Sequence, residues 1–435
     1  MAYFLFYSAQ KMMRYLYSFL LLLLMPLIPL RLLWRGFKSR SYWSHWSQRF
    51  GFHYPKNLKK TIWLHAVSLG ETQASIPLIQ QLQQIYPDYT ILVTNMTPTG
   101  ANCASQLSDV HQCYLPYDSP FAVRAFLKQI HPVIGIIIET ELWPNLLHHA
   151  KQQNIPMLLA NARLSAQSAK SYQRYASHLT AQTLACFSHI CVQTDIEAQR
   201  FRQLGANADN LSVTGSIKFD VSMDEKVKQL ATDLRQTWGE HRLVWIAAST
   251  HTGEDESVLQ AFMSLQTEIP DLLLIIVPRH PERFDNVVHL CQQAVGKACT
   301  RRTQNSASQA TTIYVGDTMG DLPLLYASAD VAFIGGSLVP TGGHNVLEPA
   351  LAGLPMVFGQ HMFNFKHISQ QLLDIKVATQ ISQAQQLASA TLPYLENSIL
   401  RQQTGERGQQ FVANNRGALQ RLLKIIKNLI NQDKF

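Results

Sequence analysis

The chain has 435 residues, 46% apolar and 15% charged, with a net charge of +8. That length supports two ordinary domains with a buried core in each and argues against a single small module. Residues 1–60 carry ten Lys or Arg and no Asp or Glu, so the basicity belongs to one end. Downstream there is no basic run interleaved with aromatics, which argues against a nucleic-acid partner.

The first apolar stretch, Tyr15 to Trp34, runs for about 16 residues before Arg31, near the lower limit for crossing a bilayer. No small-residue cleavage site follows it; Arg31, Arg35, Lys38 and Arg40 come next, interleaved with Trp34, Tyr42, Trp43 and Trp46. This reads as a membrane anchor with a basic, aromatic collar over residues 1–40. More cations follow the span than precede it, so the globular part is expected on the cytoplasmic face. Pro26 and Pro29 keep an interfacial, non-spanning helix open as an alternative. Six cysteines, Cys103, Cys113, Cys186, Cys191, Cys291 and Cys299, lack CxxC or Cys/His ligand spacing. They read as small core residues of a reducing compartment.

From residue 61, short apolar runs alternate with helical stretches at α/β spacing. The runs TIWLHAVS, YTILVTNM, HQCYLPYD, VIGIIIET, PMLLANAR and HICVQT form one series. After VTGSIKFD and a polar stretch, a second begins with RLVWIAAST, LLLIIVPRH, TTIYVGD, DVAFIGGS and PMVFG. The expectation is α/β with two doubly wound domains, residues 41–222 and 223–435, the second ending in a basic amphipathic closing helix over ALQRLLKIIKNLINQDKF, with a membrane-surface helix as the alternative for that tail. Ligands of such sheets bind beyond the C-terminal strand ends, in a cleft that the two domains would share.

The residues with chemistry follow those strands. Gly335 to Gly359 brings Gly335, Gly336, Gly342 and Gly343 after an apolar run and opens a helix expected at about His344 to Glu348. Its backbone N–H groups suit a phosphate, and Glu348 suits ribose hydroxyls; capping by Asn345 and Glu348 is the alternative. Arg279 follows Pro278 at a strand end, where a guanidinium can clamp a phosphate. Met319, Gly320 and Asp321 lie at another loop-to-helix junction, where free N–H groups suit a base or phosphate, with an N-cap by Asp321 as the alternative. In the first half Glu71, the first acid in the chain, begins a helix; Glu139, Glu141 and Lys218 follow other strands. Carboxylates and a lysine converging from separate strand ends are costly unless paired or used. His251, His280 and His344 are candidate ligand contacts, although a satisfied loop histidine is the simpler reading of each. Neither HExxH nor a DxD pair occurs, so the chemistry is expected to need no metal and no cofactor.

Together HAVSLGE, IETELWPNLL, ARLS, GSIKFD, AASTHTGEDE, VPRHPERF, GDTMGDL and GGSLVPTGGHNVLEP closely resemble the 3-deoxy-D-manno-octulosonic acid (Kdo) transferases of Gram-negative bacteria. The resemblance runs from the anchor to about residue 360. It implies a glycosyltransferase-B fold with an acceptor-binding N-terminal domain and a C-terminal domain that binds CMP-Kdo. The implied reaction moves Kdo to a lipid A precursor, lipid IVA, with inversion, at the bacterial inner membrane. It further implies Glu71 as proton acceptor and Glu141 and Lys218 as transition-state support. Nucleotide contacts would fall on Pro278 and Arg279, on Met319, Gly320 and Asp321, and on Asn345, Val346, Leu347 and Glu348. One departure stands out: many relatives read MGEL where this chain has MGDL. A UDP-sugar glycosyltransferase or epimerase, or a tethered nucleotide-binding module without catalysis, are the rival readings.

Overall fold

A computed structural model describes residues 2–56, 58–304 and 308–432. The chain divides into two compact units, Met1–Asp220 with Arg416–Phe435, and Val221–Asn415.

The first unit is built on β1 (Thr61–His65), β2 (Thr90–Asn95), β3 (Val110–Tyr114), β4 (Pro132–Ile138), β5 (Met157–Ala162), β6 (His189–Val192) and β7 (Leu211–Val213). All pair in parallel in the order β3-β2-β1-β4-β5-β6-β7. Both sheet faces are covered, which is why these strands read as near-continuous Val, Ile and Leu. Trp63, Leu92, Ile137 and Leu159 face one core with Phe126 and Phe201. Ile62, Leu64, Val93 and Ile136 face the other, with Leu78 and Leu82. The order reverses between β1 and β4, and a crevice opens beyond their C-terminal ends at that point.

The second unit contains β8 (Val244–Thr250), β9 (Leu273–Pro278), β10 (Cys299–Arg301), β11 (Ile313–Val315), β12 (Val331–Ile334), β13 (Met356–Phe358) and β14 (Ala378–Gln380). They form a second parallel sheet in the order β10-β11-β9-β8-β12-β13-β14, with its reversal between β8 and β12. At that point Gly335 is required by space: a Cβ there would lie 2.3 Å from the carbonyl oxygen of Ser249.

The closing helix, Ala418–Gln432, does not belong to the second domain as its sequence position suggests. Leu422, Leu423, Ile426, Leu429 and Ile430 lie in the first unit's core beside Ile62 and Leu78. Their spacing makes one apolar stripe on a helix. Its entry is fixed by Asp220, whose Oδ1 accepts from the N–H of Gly417 and whose Oδ2 accepts from that of Leu419, both at 2.6 Å. Arg421 Nε donates to the Thr214 carbonyl at 2.9 Å. The turn between Thr214 and Asp220, which carries Lys218, is thus held at both ends by the returning tail.

No single helix among the described residues is long and apolar enough to cross a membrane. The N-terminal helices Ala2–Leu24 and Leu27–Lys38 pass that test only as a pair, over Met12–Leu24 and Leu27–Phe37, bent by 53°. The break falls at Met25 and Pro26. The first helix is docked on the sheet domain by polar groups: Arg14 and Ser18 both donate to Asn145 Oδ1, at 3.1 and 2.9 Å. Tyr17 bonds the buried Asp118, whose carboxylate also accepts from the N–H groups of Asn145 and Leu146. Phe19, Leu23, Leu27, Leu30, Trp34 and Phe37 remain exposed. Arg49, counted with the basic end in sequence, is instead buried, its guanidinium 3.9 Å from the Tyr114 ring centroid.

Ile426→Ala should destabilise the first unit by about 2–5 kcal/mol through the cavity it leaves. Calorimetry should show one transition lowered, with that of the Val221–Asn415 unit unmoved; a shift of the second unit's transition instead would contradict the assignment of the tail.

Candidate active site

The crevice between β1 and β4 is lined by the residues that follow those strands. Ser68 caps the helix Leu69–Ile85, its Oγ accepting from the Glu71 N–H at 3.4 Å. Glu71 answers in the manner of a capping box: Oε1 accepts from Ser68 Oγ at 2.9 Å and Oε2 from the Val67 N–H at 2.7 Å. These bonds hold the carboxylate in one place. Burial, and then Glu139, push the Glu71 pKa above the ordinary value, against the Val67 and Ser68 bonds and the Lys218 charge. A carboxylate so raised is a better proton acceptor than a free one. A Cβ at neighbouring Gly70 would meet no atom within 4 Å.

After β4 the chain turns sharply at Glu139, which adopts a left-handed backbone with φ of 59°. Its N–H donates to the Ala160 carbonyl at 2.9 Å, and the Arg163 N–H donates to Thr140 Oγ1 at 3.0 Å. Lys218 lies in the short turn Ile217–Phe219, where Ser216 Oγ accepts its N–H and Asn161 Oδ1 accepts that of Ile217. Its ammonium pairs with Glu139 Oε1 at 2.9 Å. Glu139 is thus the partner of Lys218, a pairing that the sequence did not assign. A Glu-Thr-Glu string gives no signal of which acid turns to the lysine; the backbone turn at Glu139 decides it.

Glu141 has a different environment. Burial, and then the neighbouring Glu71 charge, raise its pKa to about 7, with Trp143 acting in the opposite direction and Glu139 adding to the rise. The structure therefore brings Glu71, Glu139, Glu141 and Lys218 into one electrostatic cluster. His65, also in this motif, is buried and neutral, its pKa lowered to about 4 by burial, with Nδ1 2.9 Å from Thr94 Oγ1.

In the second unit the expected nucleotide contacts follow β9, β11 and β12. Pro278 ends β9, and the Arg279 N–H donates to the Thr250 carbonyl at 3.0 Å. Its guanidinium makes no hydrogen bond or ion pair among the described residues, yet its charge acts on His344 and Glu348. Met319 is exposed and Gly320 has φ of 93° with open space around it. The Asp321 carboxylate does not cap the helix Leu322–Ala327. It accepts from Arg302 Nε at 2.9 Å and Thr318 Oγ1 at 2.8 Å, and these outweigh burial to lower its pKa. The helix in the Gly-rich motif is only Leu347–Leu351 and starts later than expected. Asn345 Oδ1 accepts from the Leu347 N–H, and Asn345 Nδ2 donates to Glu348 Oε1 at 2.9 Å. The side chains of Val346 and Leu347 are buried, which leaves their backbone to meet a ligand.

Sequence reasoning missed Glu254. Its fully buried carboxylate accepts four backbone N–H groups: Oε2 from His251 at 2.9 Å and Gly336 at 2.7 Å, Oε1 from Ser337 at 3.1 Å and Leu338 at 2.9 Å. It ties the loop after β8 to the loop after β12. The string THTGEDE could have flagged an acid near a strand end, but three of its four partners lie more than 80 residues away. Among the described residues no group of three His, Cys, Asp or Glu is placed to hold a metal ion.

The chain is 39% identical to the 3-deoxy-D-manno-octulosonic acid transferase of Haemophilus influenzae, over 97% of this chain and 100% of that one. It belongs to the Kdo transferase family. The family profile for 3-deoxy-D-manno-octulosonic-acid transferase (kdotransferase) matches residues 44–221, the stretch that carries Glu71, Glu139, Glu141 and Lys218. The Kdo transferase of Bordetella pertussis is 36% identical, over 94% of this chain and 98% of its own. A glycosyltransferase from Rickettsia africae shares the fold at 15% identity, with a TM-score of 0.51 over 87% of this chain and 99% of that one. The two parallel-sheet units are those of a glycosyltransferase-B-like enzyme, and the chain is a Kdo-transferring glycosyltransferase.

The coupling between Glu71 and Glu141 gives this Kdo transferase a measurable signature. An acid whose folded pKa lies above its unfolded one favours the fold below the unfolded pKa of about 4.3, and that contribution is lost as pH rises through the folded value. Stability should therefore fall between the ordinary carboxylate range and about pH 7, and Glu141→Gln should flatten the fall. With Glu71→Gln, Glu141 should titrate lower in a carboxylate-resolved NMR experiment; an unchanged midpoint would remove Glu71 as a cause.

Proposed function

We propose that this enzyme moves Kdo from CMP-Kdo to a lipid A precursor, lipid IVA, with inversion at the anomeric carbon and Glu71 as the general base. The observation that carries the reading is the Glu71 carboxylate, fixed by Val67 and Ser68 at the β1/β4 reversal and raised in pKa by burial and Glu139. Glu71 takes the proton of an acceptor hydroxyl as that oxygen bonds to the anomeric carbon. The bond from that carbon to the CMP phosphate oxygen breaks, and CMP leaves with the electron pair.

Lys218 supports this step by offering positive charge to the anionic donor, in exchange for part of its bond to Glu139. Glu141, with a pKa near 7, is suited to hydrogen-bond the acceptor in its protonated form. CMP recognition falls to the unpaired Arg279, to backbone groups of Met319, Gly320, Val346 and Leu347, and to Pro278, Asn345 and Glu348. Asp321 is committed to Arg302 and Thr318, so contact at that motif is assigned to its backbone, and the Asp for Glu difference there costs little.

The docked N-terminal helices support an anchor at the cytoplasmic face of the bacterial inner membrane. Their polar side is held by Asn145 and Asp118 while Phe19, Leu23, Leu27 and Phe37 face outward. That arrangement favours a bent pair lying in the interface. Beside it a groove of about 410 Å³, lined by Arg14, His148 and Lys151 among others, suits the anionic headgroup of a lipid acceptor.

A transfer assay read by mass spectrometry, with solubilised protein, CMP-Kdo and lipid IVA, should show added Kdo mass. Glu71→Ala should reduce the rate by about 10²–10⁴-fold while CMP binding persists. Full activity in that variant would remove Glu71 from the mechanism, and competition by UDP but not by CMP would overturn the donor.

A further inference from the structure

Three histidines gather at the C-terminal ends of the second unit's central strands. His251 follows β8, His280 follows β9, and His344 lies in the glycine-rich loop after β12. Nε2 of His251 is 2.8 Å from Nε2 of His344, with the ring planes within 7° and the centroids 5.1 Å apart. The His280 ring meets His251 edge-on, at 5.3 Å and 83°. Two N–H groups would collide at the Nε2 contact and two lone pairs would repel, so one proton is shared between the nitrogens.

The neighbourhood leaves this pair without an acid of its own. Glu254 is saturated by four backbone N–H groups. Asp255 pairs with Arg283, and Glu348 accepts from Asn345. Burial first, then Arg279, His251 and His280, lower the His344 pKa to about 3. His251 is lowered by burial, His280, Arg283 and Arg279, with Asp255 opposing. The free protein thus holds two neutral imidazoles next to an unpaired guanidinium, in loops locked together by Glu254. An anion placed there reverses the balance, since it favours the protonated form of an adjacent histidine.

We propose that His251, His344 and Arg279 form an anion seat for the negatively charged group of the sugar-nucleotide donor, and that the histidine pair takes up one proton as that group binds. The added proton goes to Nδ1 of whichever ring donates through Nε2. The N–H···N bond between the rings survives, and each ring then presents an Nδ1–H donor. The inference rests on the CMP-Kdo reading above and adds the residues that meet the donor's charge.

The full-length protein is titrated with CMP by calorimetry near pH 6.5, in two buffers of different ionisation enthalpy. The unaltered protein should take up close to one proton per CMP. His251→Gln and His344→Gln should abolish the uptake and weaken CMP about tenfold, a loss of about 1.4 kcal/mol. Arg279→Lys should weaken CMP while retaining the uptake. If the seat serves the sugar carboxylate, CMP binding will be untouched in the histidine variants, and the KM for CMP-Kdo will rise about tenfold with kcat preserved. Folded variants that match the unaltered protein in CMP affinity, proton uptake and KM would overturn the seat alone. No binding of CMP by the unaltered protein would overturn the donor reading, and the seat with it.

Discussion

The Lys218 ammonium and Glu139 carboxylate, 2.9 Å apart, set the charge balance beyond the C-terminal ends of β1 and β4. Three carboxylates stand at the ends of β1 and β4, and this pairing neutralises one of them. Glu71 and Glu141 are left to act on each other in a half-buried setting, where like charges raise pKa values. Much of the first unit's local architecture serves that pairing. The left-handed turn at Glu139 aims one acid at the lysine, Thr140 is tied to Arg163, and Asp220 fixes the turn that carries Lys218.

The two units use a glutamate in contrasting ways at equivalent places, beyond the strand where the order reverses. Glu254 spends both oxygens on four backbone N–H groups and is wholly buried, so it has no capacity left for a ligand. Glu71 accepts one bond at each oxygen and is only partly buried, so acceptor capacity remains. In Glu71 the two bonds fix the carboxylate's position without exhausting its lone pairs. The same accounting explains Asp321, whose ties to Arg302 and Thr318 make it a brace for its loop.

The long Val/Ile/Leu runs made most strands of both sheets readable from sequence, since a strand buried on both faces must be apolar throughout. The segments β7, β10 and β14 were not read as strands because, unlike the equally short β11 and β13, none of them is a wholly buried apolar run. The positions of Glu71, Glu141, Lys218 and Arg279 after strands were legible from the same spacing. Their partners were not: Glu139 takes Lys218 through an unusual backbone angle, and Glu254 reaches across more than 80 residues. The tail's allegiance was likewise hidden, because its amphipathic stripe fits any apolar face and only the Asp220 contacts, 197 and 199 residues distant, select one.

Those contacts make the second unit an insertion within the first, and that ordering has a consequence for synthesis. The strands of the first sheet leave the ribosome early, but the helix that completes their core is made last. At about 5–20 residues per second, translation of the intervening unit takes roughly 10–40 s. Through that interval the apolar face formed by Ile62, Leu64 and Leu78 lacks its cover, and Asp220 lacks the Gly417 and Leu419 N–H groups that hold the Lys218 turn. The inserted unit is contiguous in sequence, whereas the first unit is completed only by the final helix. The first unit's core, and with it the setting of Glu71, Glu139, Glu141 and Lys218, is therefore complete only when the whole polypeptide has been made.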